Sequence, residues 1–328
     1  MGDSDSTVQL IVPTRNNCAL IRRSLESIRT QHSGVPIDIW VVDNGSTDGT
    51  VEMLRGEFPE VRLIGNGTNL YFTPANKLAL HQSSSPYVLL LNDDTELLNN
   101  AIYQMSTFME THTEAGACGC VLRKPDGSPC PTSYAEPSFW LLPANLLGCS
   151  RLAKVLKGSL SRARLTGLLG RNVSSYLDVR VPDKPTEVQV ISGACLFFRR
   201  EIMRAIGDMD ERFKLGPDDW DWCIRMRRAN WRIFLLPEPQ VLHVGGATTL
   251  RAMGPVLEFY RGWFYFCVKH YGWIGRLLLL LVVPLLLPPR ILTLAIRRRN
   301  PKQVFGELSH QARFHSRLMG VLLREVWS

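Results

Sequence analysis

Three aspartates, Asp218, Asp219 and Asp221, lie within four positions, and a histidine, His243, follows a short apolar segment further along the chain. Carboxylates this close repel one another, and they are tolerated mainly where a cation, a substrate hydroxyl or a helix dipole compensates. The cluster therefore indicates a reaction centre. The same pattern also fits an acidic first turn that only offsets the helix dipole, so this segment alone leaves both interpretations open.

Short apolar runs in the first hundred residues each end in polar side chains. The runs cover 8–14, 37–44, 61–64 and 87–92, and segments with helical spacing separate them. This alternation predicts a parallel sheet, whose ligands bind beyond the carboxyl ends of the strands. We therefore expect three strand ends to form one pocket. Its candidate residues are Pro13, Thr14, Arg15, Asn16, Asp43, Asn44, Asn92, Asp93 and Asp94.

Composition places the chain among globular proteins. It has 328 residues, of which 45% are hydrophobic and 21% charged, and this excludes disorder as the main state. Eight cysteines without a C-x-x-C pair disfavour a disulfide framework or a structural zinc site and favour a reducing cytosol. The first residues lack the apolar core of a signal peptide. No G-x-G-x-x-G follows the first run, and no P-loop motif occurs, which counts against dinucleotide and P-loop chemistry.

A second group of predicted elements begins at residue 187. Strands are expected at 188–199, 232–236 and 241–244, with helices near 200–206 and from 218. Between the two groups, residues 137–177 contain six basic residues, no acidic residue and many leucines. This pattern predicts a basic amphipathic surface element. Packing on the domain and contact with a membrane both remain open for it.

The net charge of +8 is concentrated at the C-terminal end, around a very apolar stretch at 277–289. That stretch is shorter than the roughly 20 residues needed to span a bilayer, and Pro284, Pro288 and Pro289 would break a straight helix. An interfacial or re-entrant segment is therefore favoured over a spanning or a buried helix. Flanking arginines, including those at 297–299, fit an anionic membrane surface. Nucleic acid is not expected as a partner, because the run lacks interleaved aromatic residues.

Several motifs together resemble family 2 glycosyltransferases of the GT-A fold, with a rhamnosyltransferase-like character. The motifs are 11–16 with 41–50, the asparagine-containing loop 69–76, the D-x-D-like segment 91–95, Ser192-Gly193-Ala194, the E-D-like segment 218–221 and His243. The resemblance extends almost to residue 270. It implies an α/β fold with a Rossmann-like nucleotide-binding sheet and an acceptor-side subdomain. The apolar and basic pattern after residue 272 adds C-terminal membrane-associated helices to this expected fold. The expected boundaries are 1–122 for the nucleotide-sugar half, 123–186 for the basic insert, 187–272 for the acceptor half and 273–328 for the membrane-associated region.

The resemblance also implies roles for individual residues. Asp219 would be the general base of an inverting transfer, with Asp218 and Asp221 as further catalytic candidates. Asp94 and His243 would hold a divalent metal ion, Mg²⁺ or Mn²⁺. A dTDP- or UDP-sugar would bind at the listed strand ends together with Asn69 and Asn76, with Asp43 at the base and Asp93 at the ribose.

The expected acceptor is a lipid-linked or cell-surface saccharide, and the enzyme is expected at the cytoplasmic face of the inner membrane, as a peripheral or re-entrant protein. The absence of a Q-x-x-R-W signature after residue 221 indicates one sugar per encounter. The sequence departs from the family pattern at Asn92, at Lys77 and at Asp218, which replaces a glutamate, so the division of roles between Asp218 and Asp219 stays open. Alternatives are a catalytically silent sugar-nucleotide-binding or scaffold protein and a basic nucleic-acid-binding protein.

Overall fold

The computed structural model describes residues 7–30, 34–136, 181–245, 253–297, 313 and 316–327, with the backbone alone for 253–255 and 282–297. The chain divides into two compact units. One comprises 1–136, 178–214 and 218–247, and the other comprises 137–177, 215–217 and 248–328. The predicted basic element at 137–177 lies outside the described residues, and the four predicted domain boundaries stay predictions.

The described part of the first unit contains eleven strands and six helices. The strands are β1 (Val8–Thr14), β2 (Ile37–Asp43), β3 (Arg62–Gly65), β4 (Tyr87–Leu91), β5 (Thr95–Leu98), β6 (Ala115–Arg123), β7 (Ser133–Tyr134), β8 (Thr186–Glu187), β9 (Val190–Ile191), β10 (Cys195–Arg199) and β11 (Arg232–His243). The helices are α1 (Cys18–Arg29), α2 (Thr50–Glu57), α3 (Phe72–Leu80), α4 (Ala101–Thr111), α5 (Ile202–Ile206) and α6 (Asp218–Arg228).

One mixed sheet organises this unit, in the order β3-β2-β1-β4-β10-β6-β11-β5, with β8 beside β11 and a separate β7-β9 ribbon. The parallel arrangement predicted for the first four runs is confirmed in β1 to β4. Beyond β4 the sheet is not purely parallel, because β10 runs antiparallel to both β4 and β6. The chain enters β10 at the edge where β4 ends, since Asn92 N donates to Ala194 O at 3.1 Å, and it must therefore run in the opposite direction.

Burial explains why these segments form strands and helices. All seven residues of β1 are buried, as expected for a central strand that is covered on both faces. Helix α1 buries Ile21, Ser24, Leu25 and Ile28, which lie on one helical face. Each fully buried leucine or isoleucine contributes on the order of 2 kcal/mol to this core.

The sequence predictions for the second group of strands differ from the structure in two places. The single strand expected at 188–199 is divided into β9 and β10 by a turn in which Cys195 N donates to Ser192 O at 3.3 Å. The two strands expected at 232–236 and 241–244 form one strand, β11, whose pairing with β6 shifts register between Leu235 and Gln240. The turn places the Gly193 N–H at the candidate site described below.

The second unit contains α7 (Met253–Arg297) and a final helix, α8 (316–327). Helix α7 is broken at Gly272, where φ is 57° and ψ is −137°. The carbonyl oxygen of Cys267 lies 2.3 Å from the point where a Cβ of residue 275 would stand. In a straight helix these residues would be about 12 Å apart, so the chain bends sharply at Gly272.

A small core holds the second unit together. It consists of Phe264, Cys267, Leu279, Leu318, Leu322 and Val326. Beside it, Arg261 Nε donates to Glu325 Oε1 at 2.8 Å, and Glu325 is only 4% exposed. Among the described residues, no helix has the length and apolar character needed to cross a membrane. An interfacial or re-entrant arrangement of 277–289 stays a prediction, and the side chains of 282–289 lie outside the described part.

Candidate active site

The ends of β1 and β4 are joined through Asp93. Its Oδ2 accepts a hydrogen bond from Thr14 Oγ1 at 2.7 Å and another from Asn17 Nδ2 at 3.0 Å. Burial raises the pKa of Asp93 to about 6, although the hydrogen bonds from Thr14 and Asn17 oppose this rise. The structure thus brings the predicted strand ends at 13–16 and 92–94 into direct contact. Asn17, which the sequence reasoning did not select, is part of this contact.

The backbone after β2 turns back onto the Asp43 carboxylate, and Asn44 contacts the loop that follows β3. Asp43 Oδ2 accepts from the backbone N–H groups of Gly45 and Ser46, both at 3.1 Å. Asn44 Nδ2 donates to Tyr71 O at 3.2 Å, and Asn44 Oδ1 accepts from Asn66 Nδ2 at 2.9 Å. Both polar groups of the Asn44 side chain are used in these hydrogen bonds, so the side chain holds the loop in place.

The turn after β1 rests on the loop after β2. Asn16 Oδ1 accepts from Thr47 N at 2.7 Å, and Asn16 N donates to Ser46 Oγ at 2.9 Å. Pro13 is buried within β1, whereas Arg15 is exposed. Of the predicted residues in this turn, Arg15 and Asn16 therefore have side chains at the surface.

The loop 69–72 is strained at Tyr71, where φ is 66° and ψ is −159°. Backbone of this kind is costly for a non-glycine residue and is kept where the surroundings hold it firmly. Here Asn69 Oδ1 accepts from Tyr71 N at 2.9 Å, and Phe72 N donates to Lys214 O at 3.1 Å. Asn76 is fully buried in α3 and donates to Phe72 O at 3.0 Å. Asn69 and Asn76 both support this loop, which lies between β2 and the segment before α6.

The two predicted metal ligands lie side by side. His243 Nε2 is 3.3 Å from Asp94 Oδ1, and Asn92 Nδ2 is 3.5 Å from the same ring nitrogen. The pairing of β11 with β5 sets this distance, because His243 pairs with Thr95, the residue after Asp94. Burial disfavours the charged imidazole, but hydrogen bonds to Asp94 and Cys130 outweigh it and raise the pKa of His243 to about 9. Within the described residues, no group of three or more His, Cys, Asp or Glu side chains could hold a metal ion.

The three aspartates of α6 have three different environments. Asp218 is 8% exposed and accepts from Thr73 Oγ1 at 3.1 Å, and Asp221 is 1% exposed and binds Arg225 Nε at 2.8 Å. Asp219 is only partly buried. Its Oδ2 accepts from Gly193 N at 3.0 Å and its Oδ1 from Trp220 N at 2.9 Å. Burial raises the pKa of Asp219 to about 6, and these backbone hydrogen bonds only partly offset the rise.

Two aromatic residues that the sequence reasoning did not select stand beside Asp219. The Tyr134 and Trp220 rings stack with centroids 5.5 Å apart. Burial, and secondarily the charge of Asp219, raises the pKa of Tyr134 above its usual value. Thr73 was also missed, because nothing in its local sequence indicates a partner 145 positions further along the chain.

The sequence matches a known protein family and a relative of assigned activity. The family model described as glycosyl transferase family 2 matches residues 9–207. The chain is 27% identical over 253 residues to N-acetylglucosaminyl-diphospho-decaprenol L-rhamnosyltransferase of Mycobacterium tuberculosis, covering 73% of this chain and 77% of that protein.

Solved structures show the same fold. The mannosyltransferase PcManGT from Pyrobaculum calidifontis, in complex with GDP-Man and Mn²⁺, has a TM-score of 0.53 at 16% identity, covering 98% of this chain and 87% of that one. GalNAc-T7 with UDP, GalNAc and Mn²⁺ also has a TM-score of 0.53, at 11% identity, covering 80% of this chain and 47% of that one. Both of these neighbours bind Mn²⁺ together with a nucleotide or nucleotide sugar. At such identities the likeness concerns the fold alone.

Proposed function

Because this chain belongs to glycosyl transferase family 2 and is a glycosyl transfer enzyme, we propose that it is an inverting, metal-dependent rhamnosyltransferase. It moves one sugar from a dTDP- or UDP-sugar to a lipid-linked saccharide at the cytoplasmic face of the inner membrane. The observation that carries the proposal is Asp219, a partly exposed carboxyl whose pKa is raised to about 6 at the start of α6.

Asp219 suits the role of general base for two reasons. A base works best when its pKa lies near the working pH, so a carboxyl with a pKa near 6 is both ionised at neutral pH and able to hold a proton. Its two neighbours are less suited, because Asp218 and Asp221 are buried and bind Thr73 and Arg225. In the proposed step Asp219 takes the proton of the acceptor hydroxyl. The hydroxyl oxygen bonds to the anomeric carbon, and the bond to the diphosphate breaks on the opposite face.

The donor set around Asp94 fits a divalent ion of the Mg²⁺ or Mn²⁺ class. It offers a carboxylate and an imidazole, and an amide at Asn92 lies beside them. The imidazole would bind an ion in its neutral form, after losing the proton that Asp94 stabilises. Ions of this class that act on nucleotide substrates are usually held by only one or two protein side chains, so this pair would be sufficient. When bound there, the ion would neutralise charge on the departing nucleotide diphosphate. Asp94 and His243 are the residues that would hold it.

The donor nucleotide is proposed to bind at the ends of β1, β2 and β4. The groups offered to the base and the ribose are the exposed side chains of Arg15 and Asn16 and the carboxylates of Asp43 and Asp93. Hydrogen bonds hold these two carboxylates in place. Asn44 and Asn76 support the pocket from within, because their side chains already bond to the surrounding loops.

The acceptor and the sugar are inferred from the relative of known activity. That protein is named for transfer of L-rhamnose to N-acetylglucosaminyl-diphospho-decaprenol, and the alignment covers 73% of this chain. A sugar linked through a diphosphate to a polyprenol is therefore the acceptor class we propose. An acceptor of this kind resides in a membrane, so we propose that the enzyme acts at a membrane surface.

A donor-hydrolysis screen tests the proposal without the acceptor. The full chain is incubated with nucleotide sugars and Mg²⁺ or Mn²⁺, and release of the nucleotide diphosphate is measured. We expect slow hydrolysis of dTDP-rhamnose above that of other donors, abolished by Asp94→Ala. Equal or absent release with every nucleotide sugar, and no transfer to a polyprenyl-diphosphate sugar, would overturn the assignment.

A further inference from the structure

In the described part of the second unit, six large apolar side chains are exposed to solvent. Two are tryptophans, Trp273 at 71% and Trp327 at 75%, and four are aliphatic: Ile274, Leu277, Leu281 and Leu323. The described part of the first unit is much larger, yet its exposed large apolar residues reach at most 48%, at Tyr103. Exposed apolar groups concentrated in this way mark an interaction surface.

Helical spacing places these residues on outward stripes. Trp273, Leu277 and Leu281 recur at intervals of four on α7, while Leu279, roughly opposite Leu277, is buried in the small core. On α8, Leu323 and Trp327 are likewise four apart. Leu318 and Leu322 on the same helix pack into the small core instead. Each helix therefore has one apolar stripe in the core and a second one, here called the outer stripe, that faces solvent.

The charges around the outer stripes favour an anionic partner. Arg317 and Arg324 of α8 are exposed, and Arg276 lies beside Leu277 on α7. In the described part of this unit the acidic residues are Glu258 and Glu325, and both pair with Arg261, at 3.8 and 2.8 Å. A second copy of this chain would present the same basic surface and be repelled. An anionic lipid surface would be attracted.

We propose that the outer stripes of α7 and α8 form a membrane-docking surface for an anionic bilayer. Tryptophan residues prefer the interface between headgroups and acyl chains, and helices with an apolar stripe and arginines lie in that plane. The surface deepens the proposed function, which requires access to a lipid-linked acceptor. It also extends the membrane contact, which was predicted for 277–289 alone, to a pair of helices that includes Trp273 and Trp327.

Vesicle binding by the full chain tests this surface. Co-sedimentation is measured with vesicles of phosphatidylcholine and phosphatidylglycerol, and with phosphatidylcholine alone, at low and high salt. The double variant Trp273→Ser/Trp327→Ser should lose at least about tenfold in binding, because its two interfacial anchors are gone. Tyr103→Ser is the matched control, since it removes an exposed aromatic residue from α4 and should bind normally. Arg324→Gln should weaken binding only to the anionic vesicles.

The outcomes separate the docking surface from the catalytic proposal. Tryptophan fluorescence should be quenched by brominated lipid in the wild type and much less in the double variant, while melting temperature and donor hydrolysis stay unchanged. Equal vesicle binding by the double variant, or no binding by the wild type, overturns the surface, as does a dimer that these substitutions dissociate. Vesicle binding that persists without hydrolysis of any nucleotide sugar and without transfer to a polyprenyl-diphosphate sugar leaves the surface standing and removes the proposed function.

Discussion

Replacing Asp219 by asparagine should make the protein more stable and much less active. In the folded protein the pKa of Asp219 is raised from 3.8 to about 6, so keeping the carboxylate ionised costs stability at neutral pH. A rise of that size corresponds to about 3 kcal/mol. Asparagine removes this cost but has only one acceptor oxygen for the N–H groups of Gly193 and Trp220. Losing one of these hydrogen bonds costs about 1 kcal/mol, and partial exposure lowers the gain further, so about 1 to 2 kcal/mol should remain.

The stability gained by Asp219→Asn must increase as the pH rises. At about pH 3 and below, the carboxyl is protonated in both the folded and the unfolded chain, and the variant has no advantage from charge. The advantage should grow as the pH rises from about 3, through the unfolded pKa of 3.8, and level off above the folded pKa of about 6. At pH 8 we expect an increase in melting temperature of about 2–4 °C. Thermal unfolding across this pH range is the measurement.

Activity and a matched control complete the test. Turnover of Asp219→Asn should fall about a hundredfold or more, with nucleotide binding preserved. In the wild type, kcat/KM should fall below about pH 6, where Asp219 becomes protonated. Asp221→Asn carries the same chemical change two residues away but breaks the buried pair with Arg225, so it should lower stability by about 3 kcal/mol. Near-normal turnover in Asp219→Asn, or the same sign of stability change in both variants, would refute the reasoning.

Three further predictions concern positions around the site and in the second unit. Chelation by EDTA, or Asp94→Ala, should weaken donor binding and abolish transfer, measured by calorimetry and product release; full activity in excess EDTA would remove the metal assignment. Thr73→Val should lower kcat about tenfold with little change in donor KM, because Asp218 loses its buried hydrogen-bond donor, and Thr73→Ser should restore it; equal kinetics in both variants would show that Thr73 only packs. Gly275→Ala should destabilise the second unit by more than about 2 kcal/mol in chemical unfolding, since a Cβ would stand 2.3 Å from Cys267 O, whereas Gly320→Ala, with open space around it, should not.

The sequence predicts the first half of the sheet well because its signals are local. The four apolar runs have the composition of buried strands, and the structure has β1 at Val8–Thr14 and β4 at Tyr87–Leu91. The antiparallel direction of β10 has no such signal, since it depends on where the chain enters the sheet after a long intervening segment. The same limit applies to β11, where two predicted strands are one strand with a shift in register.

The candidate site was predictable to the level of its motifs, and the remaining detail depends on distant partners. Sequence placed three aspartates at the start of a helix and left the division of their roles open. The structure distinguishes them through three different partners: Thr73 binds Asp218, the turn after β9 offers the Gly193 N–H to Asp219, and Arg225, one helical turn away, binds Asp221. The first two partners belong to segments that only the folded sheet brings to α6. Because each carboxylate accepts hydrogen bonds from its own partner, the three negative charges are stabilised separately. The start of the helix can therefore keep one partly exposed carboxyl whose pKa suits proton transfer.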